Sequence, residues 1–137
     1  MNQADAIERV SLAPVGRFAT IFPNGAPHIV PVTFAVVGDS IVHMIDHKPK
    51  TTQHLQRIVN IEANPAVSLL VDEYGDDWDQ LWWVRVDGLA HIATSGSDWR
   101  DARSALITKY PQYREWPPSG QAVYLEIAKV TSWESKS

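Results

Sequence analysis

The chain has 137 residues, of which 45% are apolar and 20% charged, and a formal net charge of −4. This suits one globular domain over residues 1–137 with a real core, and the acidic balance argues against a nucleic-acid partner, whose affinity comes mainly from neutralised phosphates. The absence of cysteine excludes disulfides, thiolate metal sites and cysteine nucleophiles. The opening MNQADAIERVSLAP is too polar for a signal peptide, and no apolar run approaches transmembrane length, so a cytoplasmic protein with no membrane partner is expected.

In chain order, Asp5 to Leu12 reads as a short helix with Ile7 and Val10 facing in, ended by Pro14. Arg17 to Phe22 reads as a strand, and Pro23-Asn24-Gly25-Ala26-Pro27 is a strong turn signal. A second strand is predicted from His28 to Val37, with Val30, Val32, Phe34 and Val36 on one face. Pro31 cannot donate to a ladder, which puts that part of the strand at an edge, a bulge or a ligand. Gly38-Asp39 makes the next hairpin, and Ile41 to Ile45 is a third strand. A helix is expected from about Thr51 to Glu62, with Leu55, Ile58 and Val59 on one face, stopping before Asn64-Pro65. Val67 to Asp72 is a strand, Asp72 to Gln80 an acidic loop, and Leu81 to Ala93 a long strand with Gly88 at a bulge. Ser97 to Lys109 reads as a helix with Trp99, Ala102 and Leu106 on one side, closed by Pro111. Tyr113 to Gly120 reads as irregular, and Ala122 to Trp133 as the final strand. The fold class is therefore mainly β: six antiparallel, hairpin-linked strands in a barrel, with two or three short helices.

The segment between the third strand and the following helix carries the sharpest chemical signal. Lys48, Lys50 and Thr51 stand at the helix start, where unpaired N–H groups and the positive end of the dipole meet. They read either as a phosphate seat, with Arg57 adding charge further along, or as solvated lysines beside a plain N-cap. On the long strand, Trp82 and Val84 face one way while Trp83 and Arg85 face the other. The second pair suits a planar anionic heterocycle or a subunit interface, and equally a core with a snorkelling arginine. The six tryptophans point in the same direction, since Trp favours interfaces and ligand edges. The five histidines form no recognised zinc spacing, and they read as ordinary polar or half-buried side chains, with His28 and His47 available at a pocket mouth. The acidic loop, Asp72, Glu73, Asp76, Asp77 and Asp79, misses the register of a calcium-binding EF-hand and reads as solvated. There is no G-x-S-x-G, no Walker loop and no G-x-G-x-x-G, so any chemistry is expected to belong to a bound cofactor.

From Val15 to Asp72 the chain strings together an A-T strand, an N-G-x-P turn, a V-P-V strand, a G-D hairpin, a basic segment opening a helix, and an N-P-x-V-S strand. In this order they resemble the split β-barrel flavin-binding proteins related to pyridoxamine 5′-phosphate oxidase. The later D-x-W-D-Q-L-W-W-V-R-V-D-G-x-A stretch is similar to a subgroup described as using the deazaflavin coenzyme F-420. The resemblance implies a homodimer with two cofactor sites at its interface, and a deazaflavin, or FMN as the alternative. It matches Lys48 to Thr51 to the phosphate segment and Val30, Pro31, Val32 and Thr33 to the strand beside the ring. Arg57 falls on the next helix, and Trp82, Trp83 and Arg85 are implied on the partner chain or barrel wall. It implies hydride transfer to a small conjugated substrate. The Arg-x-His pattern of true pyridoxamine phosphate oxidases is missing near the C-terminus, which argues against that substrate. Non-catalytic carriage of the cofactor and haem handling are the alternatives on the same barrel.

Overall fold

The computed structural model describes residues 1–45 and 52–135, and the side chains of all of these except residues 52–55. The chain opens with α1 (Gln3–Leu12), whose N-cap Asn2 accepts the Asp5 N–H at 2.8 Å. β1 (Gly16–Ile21) turns at Pro23 to Ala26 into β2 (Pro27–Val32), and Gly25 takes the positive φ of 90° that this turn needs. β3 (Ala35–Val37) and β4 (Ser40–Met44) form the next hairpin, followed by α2 (Thr52–Ala63) and β5 (Ala66–Glu73). A turn of 3-10 helix leads to β6 (Trp82–Ala93), then α3 (Gly96–Lys109), α4 (Pro111–Glu115) and β7 (Ala122–Glu134). No helix among the described residues is long and apolar enough to cross a membrane.

All strand pairs are antiparallel, in one sheet ordered β2-β1-β5-β6-β7-β4-β3. The described strands number seven rather than the expected six, because the run from His28 to Val37 is two strands at opposite ends of this order. The break falls at Thr33-Phe34 and curls the sheet into a barrel with a seam. The backbone of Phe34 leaves the ladder there and finds side-chain partners instead. Its N–H donates to the Tyr110 hydroxyl at 3.1 Å, and its carbonyl accepts from Lys109 Nζ at 2.9 Å. With that carbonyl served by Lys109, the single hydroxyl hydrogen of Tyr110 goes to Pro14 O at 2.9 Å.

Inside the barrel, alternate residues of each strand make the core: Phe18, Leu69, Val71, Val84, Val86, Val123 and Leu125 are all essentially fully buried. Each such Val, Leu or Phe contributes about 1.5–3 kcal/mol on burial. A second apolar layer lies outside β4, where Val42, Met44, Ala122 and Tyr124 pack beneath Ala102, Leu106 and Tyr110. Ile41, His43 and Ile45 consequently point inward and Val42 and Met44 outward, so β4 is buried on both faces. The register of β6 on β7 slips between Asp87 and Gly88, leaving Ala128 unmatched. A Cβ on Gly88 would run into the Glu126 carbonyl, which is why glycine stands at the bulge.

The helix before β5 departs from the expected pattern. Ile58 and Ile61 are buried, but Val59 is 47% exposed, and the polar Arg57 and Asn60 are buried instead. Asn60 closes a network: it accepts from Gln56 at 2.7 Å and donates to Thr20 on β1 at 3.0 Å. Satisfied polar groups can be buried at little cost, and here they fix how α2 lies across β1. The segment expected to be irregular contains α4, which Pro111 begins at a position where its missing N–H costs nothing.

Candidate functional site

The seam opens into a small pocket of about 150 Å³ lined by Pro31, Val32, Thr33, His43, Met44, Arg57 and Tyr113. The expected ring-side strand and the expected arginine are thus brought together. Pro31 and Val32 come from the C-terminal end of edge strand β2, His43 and Met44 from β4, Arg57 from α2 and Tyr113 from α4. Val30 is partly buried and packs against the barrel core. Lys48, Lys50 and Thr51, read from the sequence as the phosphate seat, lie outside the described residues, as does His47.

Two features make this pocket chemically unlike the rest of the core. Arg57 is buried, and its Nε has no hydrogen-bond partner among the described residues. Burial pulls its pKa down, so the guanidinium holds its charge at a cost that an incoming acceptor would relieve. His43 stands edge-on to Phe18, with ring centroids 4.6 Å apart, and its Nε2 is likewise unpartnered among the described residues. Burial first, and the Arg57 charge second, hold the His43 imidazole well below its ordinary pKa, so it is neutral. At the outer side, Thr33 Oγ1 and Tyr113 Oη share a 2.7 Å hydrogen bond. A buried guanidinium with an unpartnered N–H, beside hydroxyls with a hydrogen to spare, fits an acceptor-rich ligand edge or an anion.

The tryptophan strand does not join this pocket. Trp82 lies against the core, with Arg9 stacked 5.3 Å from its ring centre and its indole N–H on Glu73 at 3.0 Å. Trp83 and Arg85 face outward, as the alternation requires, into an open apolar groove of about 580 Å³. Ala19, Ile29, Leu70 and Tyr74 share that groove, and the ion pairs Arg17–Asp72 (3.4 Å) and Arg85–Asp87 (3.3 Å) lie at it. Among the described residues no group of three or more histidine, aspartate or glutamate side chains is placed to hold a metal. Asp77 instead caps the 3-10 turn, and Asp72 pairs with Arg17.

Sequence reasoning missed His43 and Tyr113. His43 could have been found from its odd-numbered place between Ile41 and Ile45 on a strand buried on both faces. Tyr113 had only the helix-starting Pro111 as a signal.

Comparison with known folds places this geometry. A conserved hypothetical protein of Mycobacterium tuberculosis superposes with a TM-score of 0.80 at 24% identity, over 98% of this chain and 85% of that one. An FAD-binding protein of Mesorhizobium loti gives 0.73 at 23% identity, over 96% and 92%. A haem-binding protein of Mycobacterium smegmatis gives 0.75 at 19% identity, over 98% of this chain but 55% of that one. No curated protein sequence matches the chain. At these identities the likeness is one of fold. The family match is broader than any of them, since the pyridoxamine 5′-phosphate oxidase pattern runs through residues 4–134. The seam-split barrel and that near-complete match together mean that the chain belongs to the pyridoxamine 5′-phosphate oxidase family.

Proposed function

We propose that this protein is a flavin- or deazaflavin-dependent oxidoreductase, acting as a homodimer on a small conjugated organic substrate. The observation that carries the reading is the buried, charged Arg57 beside the Pro31–Thr33 segment, in a pocket where Arg57 Nε and His43 Nε2 have no hydrogen-bond partner among the described residues. A bound flavin or deazaflavin supplies the hydride chemistry itself. The chain's own residues do the rest. Arg57 offers a desolvated positive charge to the acceptor atoms of the cofactor, and Lys48, Lys50 and Thr51 would hold its phosphate. His43, neutral and edge-on to Phe18, walls the pocket without adding a second positive charge. The barrel core behind it keeps water from the ring.

The dimer reading is supported by the outer groove, where Ile29 is 63% exposed beside Trp83 and Leu70. In such a dimer the outer sheet face of each copy would meet the other. Coenzyme F-420 is favoured over FMN by the tryptophan-strand resemblance, and FAD comes into question through the fold relative that binds it.

The test is a fluorescence titration of the purified protein with coenzyme F-420, FMN and FAD in parallel. Saturable micromolar binding of one of them is expected, and binding of none would overturn the reading. A haem titration belongs beside it. A Soret band on haem titration would favour haem handling in place of the flavin reading.

A further inference from the structure

The Thr33–Tyr113 contact has an arithmetic of its own. Two hydroxyls carry two hydrogens, and the bond between them uses one. Neither oxygen has another hydrogen-bond partner among the described residues, so with respect to these the pair holds one donor in reserve. Both residues line the seam pocket, next to Arg57. The pocket is therefore lined both by a hydroxyl pair with a hydrogen to spare and by the Arg57 side chain.

The pair is also held still. Arg114 clamps α4 to the end of α3, with Nε on Ile107 O at 3.2 Å and an Nη on Thr108 O at 2.8 Å. The Tyr113 ring packs edge-on to Tyr110, with centroids 5.6 Å apart. On the other side, Thr33 precedes Phe34, whose backbone Lys109 and Tyr110 grip. A donor with so little freedom loses little entropy on binding a ligand.

We propose that Tyr113 is a ligand-recognition residue of this pocket. Its hydroxyl donates to a carbonyl oxygen of the bound ring, while Thr33 donates back to the phenol oxygen. A phenol is more acidic than an aliphatic alcohol, so it takes the stronger acceptor and leaves the threonine to support it. The ligand class is a planar ring with a carbonyl-bearing edge, such as the pyrimidinedione edge that flavins and deazaflavins share. The assignment rests on the cofactor reading above and deepens it, by making the α3–α4 corner part of the binding wall.

The test compares wild type, Tyr113→Phe, Thr33→Val and the double variant, titrated with FMN and with coenzyme F-420. Infrared difference spectra of the bound ring are recorded alongside. Tyr113→Phe is expected to weaken binding about tenfold and Thr33→Val about threefold, with the double variant no weaker than Tyr113→Phe alone. The ring carbonyl band should move to higher frequency in Tyr113→Phe, a change that altered fold stability by itself does not produce. Binding within about twofold of wild type and an unmoved carbonyl band in Tyr113→Phe would overturn the assignment while leaving the cofactor reading intact. A larger loss in Thr33→Val than in Tyr113→Phe would overturn it too, by making threonine the direct donor. Binding of none of FMN, FAD and coenzyme F-420 by wild type would remove both the cofactor reading and this one.

Discussion

The outer faces of the two halves of the sheet are built alike and finished differently. On β3, β4 and β7 the outward residues Ala35, Val42, Met44 and Tyr124 lie under α3 and share a core with Ala102 and Leu106. On β2, β1, β5 and β6 the outward residues Ile29, Ala19, Leu70 and Trp83 line an open groove. Both faces follow the same two-residue alternation. Among the described residues only one is covered within the chain, and the other presents an open apolar groove. The seam pocket lies between the halves, taking Pro31 and Val32 from one and His43 and Met44 from the other.

The strongest way to break this contrast is to attack the covered half. Leu106→Ala is expected to cost about 3 kcal/mol of folding stability, measured by urea denaturation, because Leu106 is fully buried. A loss below about 1 kcal/mol would mean that α3 contributes little to the barrel. The pocket between the halves comes next. Arg57→Met is expected to weaken cofactor binding by about 2 kcal/mol without lowering the ligand-free melting temperature, since it removes a buried charge. A lower melting temperature with unchanged affinity would make Arg57 a structural residue.

The open half gives the next largest effect. Ile29→Asp should leave monomer stability within about 0.5 kcal/mol and weaken self-association at least about tenfold in sedimentation experiments. Unchanged association would move the dimer contact elsewhere. The smallest effect is a pH dependence at the seam. Burial lowers the Lys109 pKa from 10.5 to about 8, outweighing the carbonyl and the Phe34 ring, 3.9 Å away, that favour its charge. Above pH 8 the folded chain has released a proton that the unfolded chain still holds, so stability should rise from about pH 8 towards 10.5. Tyr110 and Tyr124, raised above 10.0 mainly by burial, oppose this from about pH 10 upward as the unfolded phenols ionise first. Lys109→Met should abolish the rise between pH 8 and 10 in thermal melts, and a rise that persists would assign it to another group.

Most of the fold was legible because each strand writes its own alternation. Val84 and Val86 turn in while Trp83 and Arg85 turn out, and Gly88 marks the bulge. The break at Thr33-Phe34 was not legible, since the alternation runs straight through it. What breaks the strand is Tyr110, which lies 76 residues further along. The same holds for the pocket. Pro31 and Arg57 could be singled out from local pattern and the rest of the Val30–Thr33 strand from the family resemblance, but their meeting with His43 and Tyr113 is made by tertiary packing. Asn60 and Arg57 lie off the expected Leu55, Ile58 and Val59 face, and Thr20 and the seam explain why their side turns inward.

The seam has a last consequence, for the order in which the barrel can form. Val32 and Ala35 are near neighbours in the chain yet belong to opposite edges of the sheet. β4 beside them gains its inner partner only from β7, where Ser40 meets Glu126 across 86 residues. During synthesis the β3–β4 hairpin therefore leaves the ribosome with an open edge, and must wait for most of the remaining chain before that edge is closed. Such long-range pairing slows folding and leaves an apolar strand open to wrong partners meanwhile.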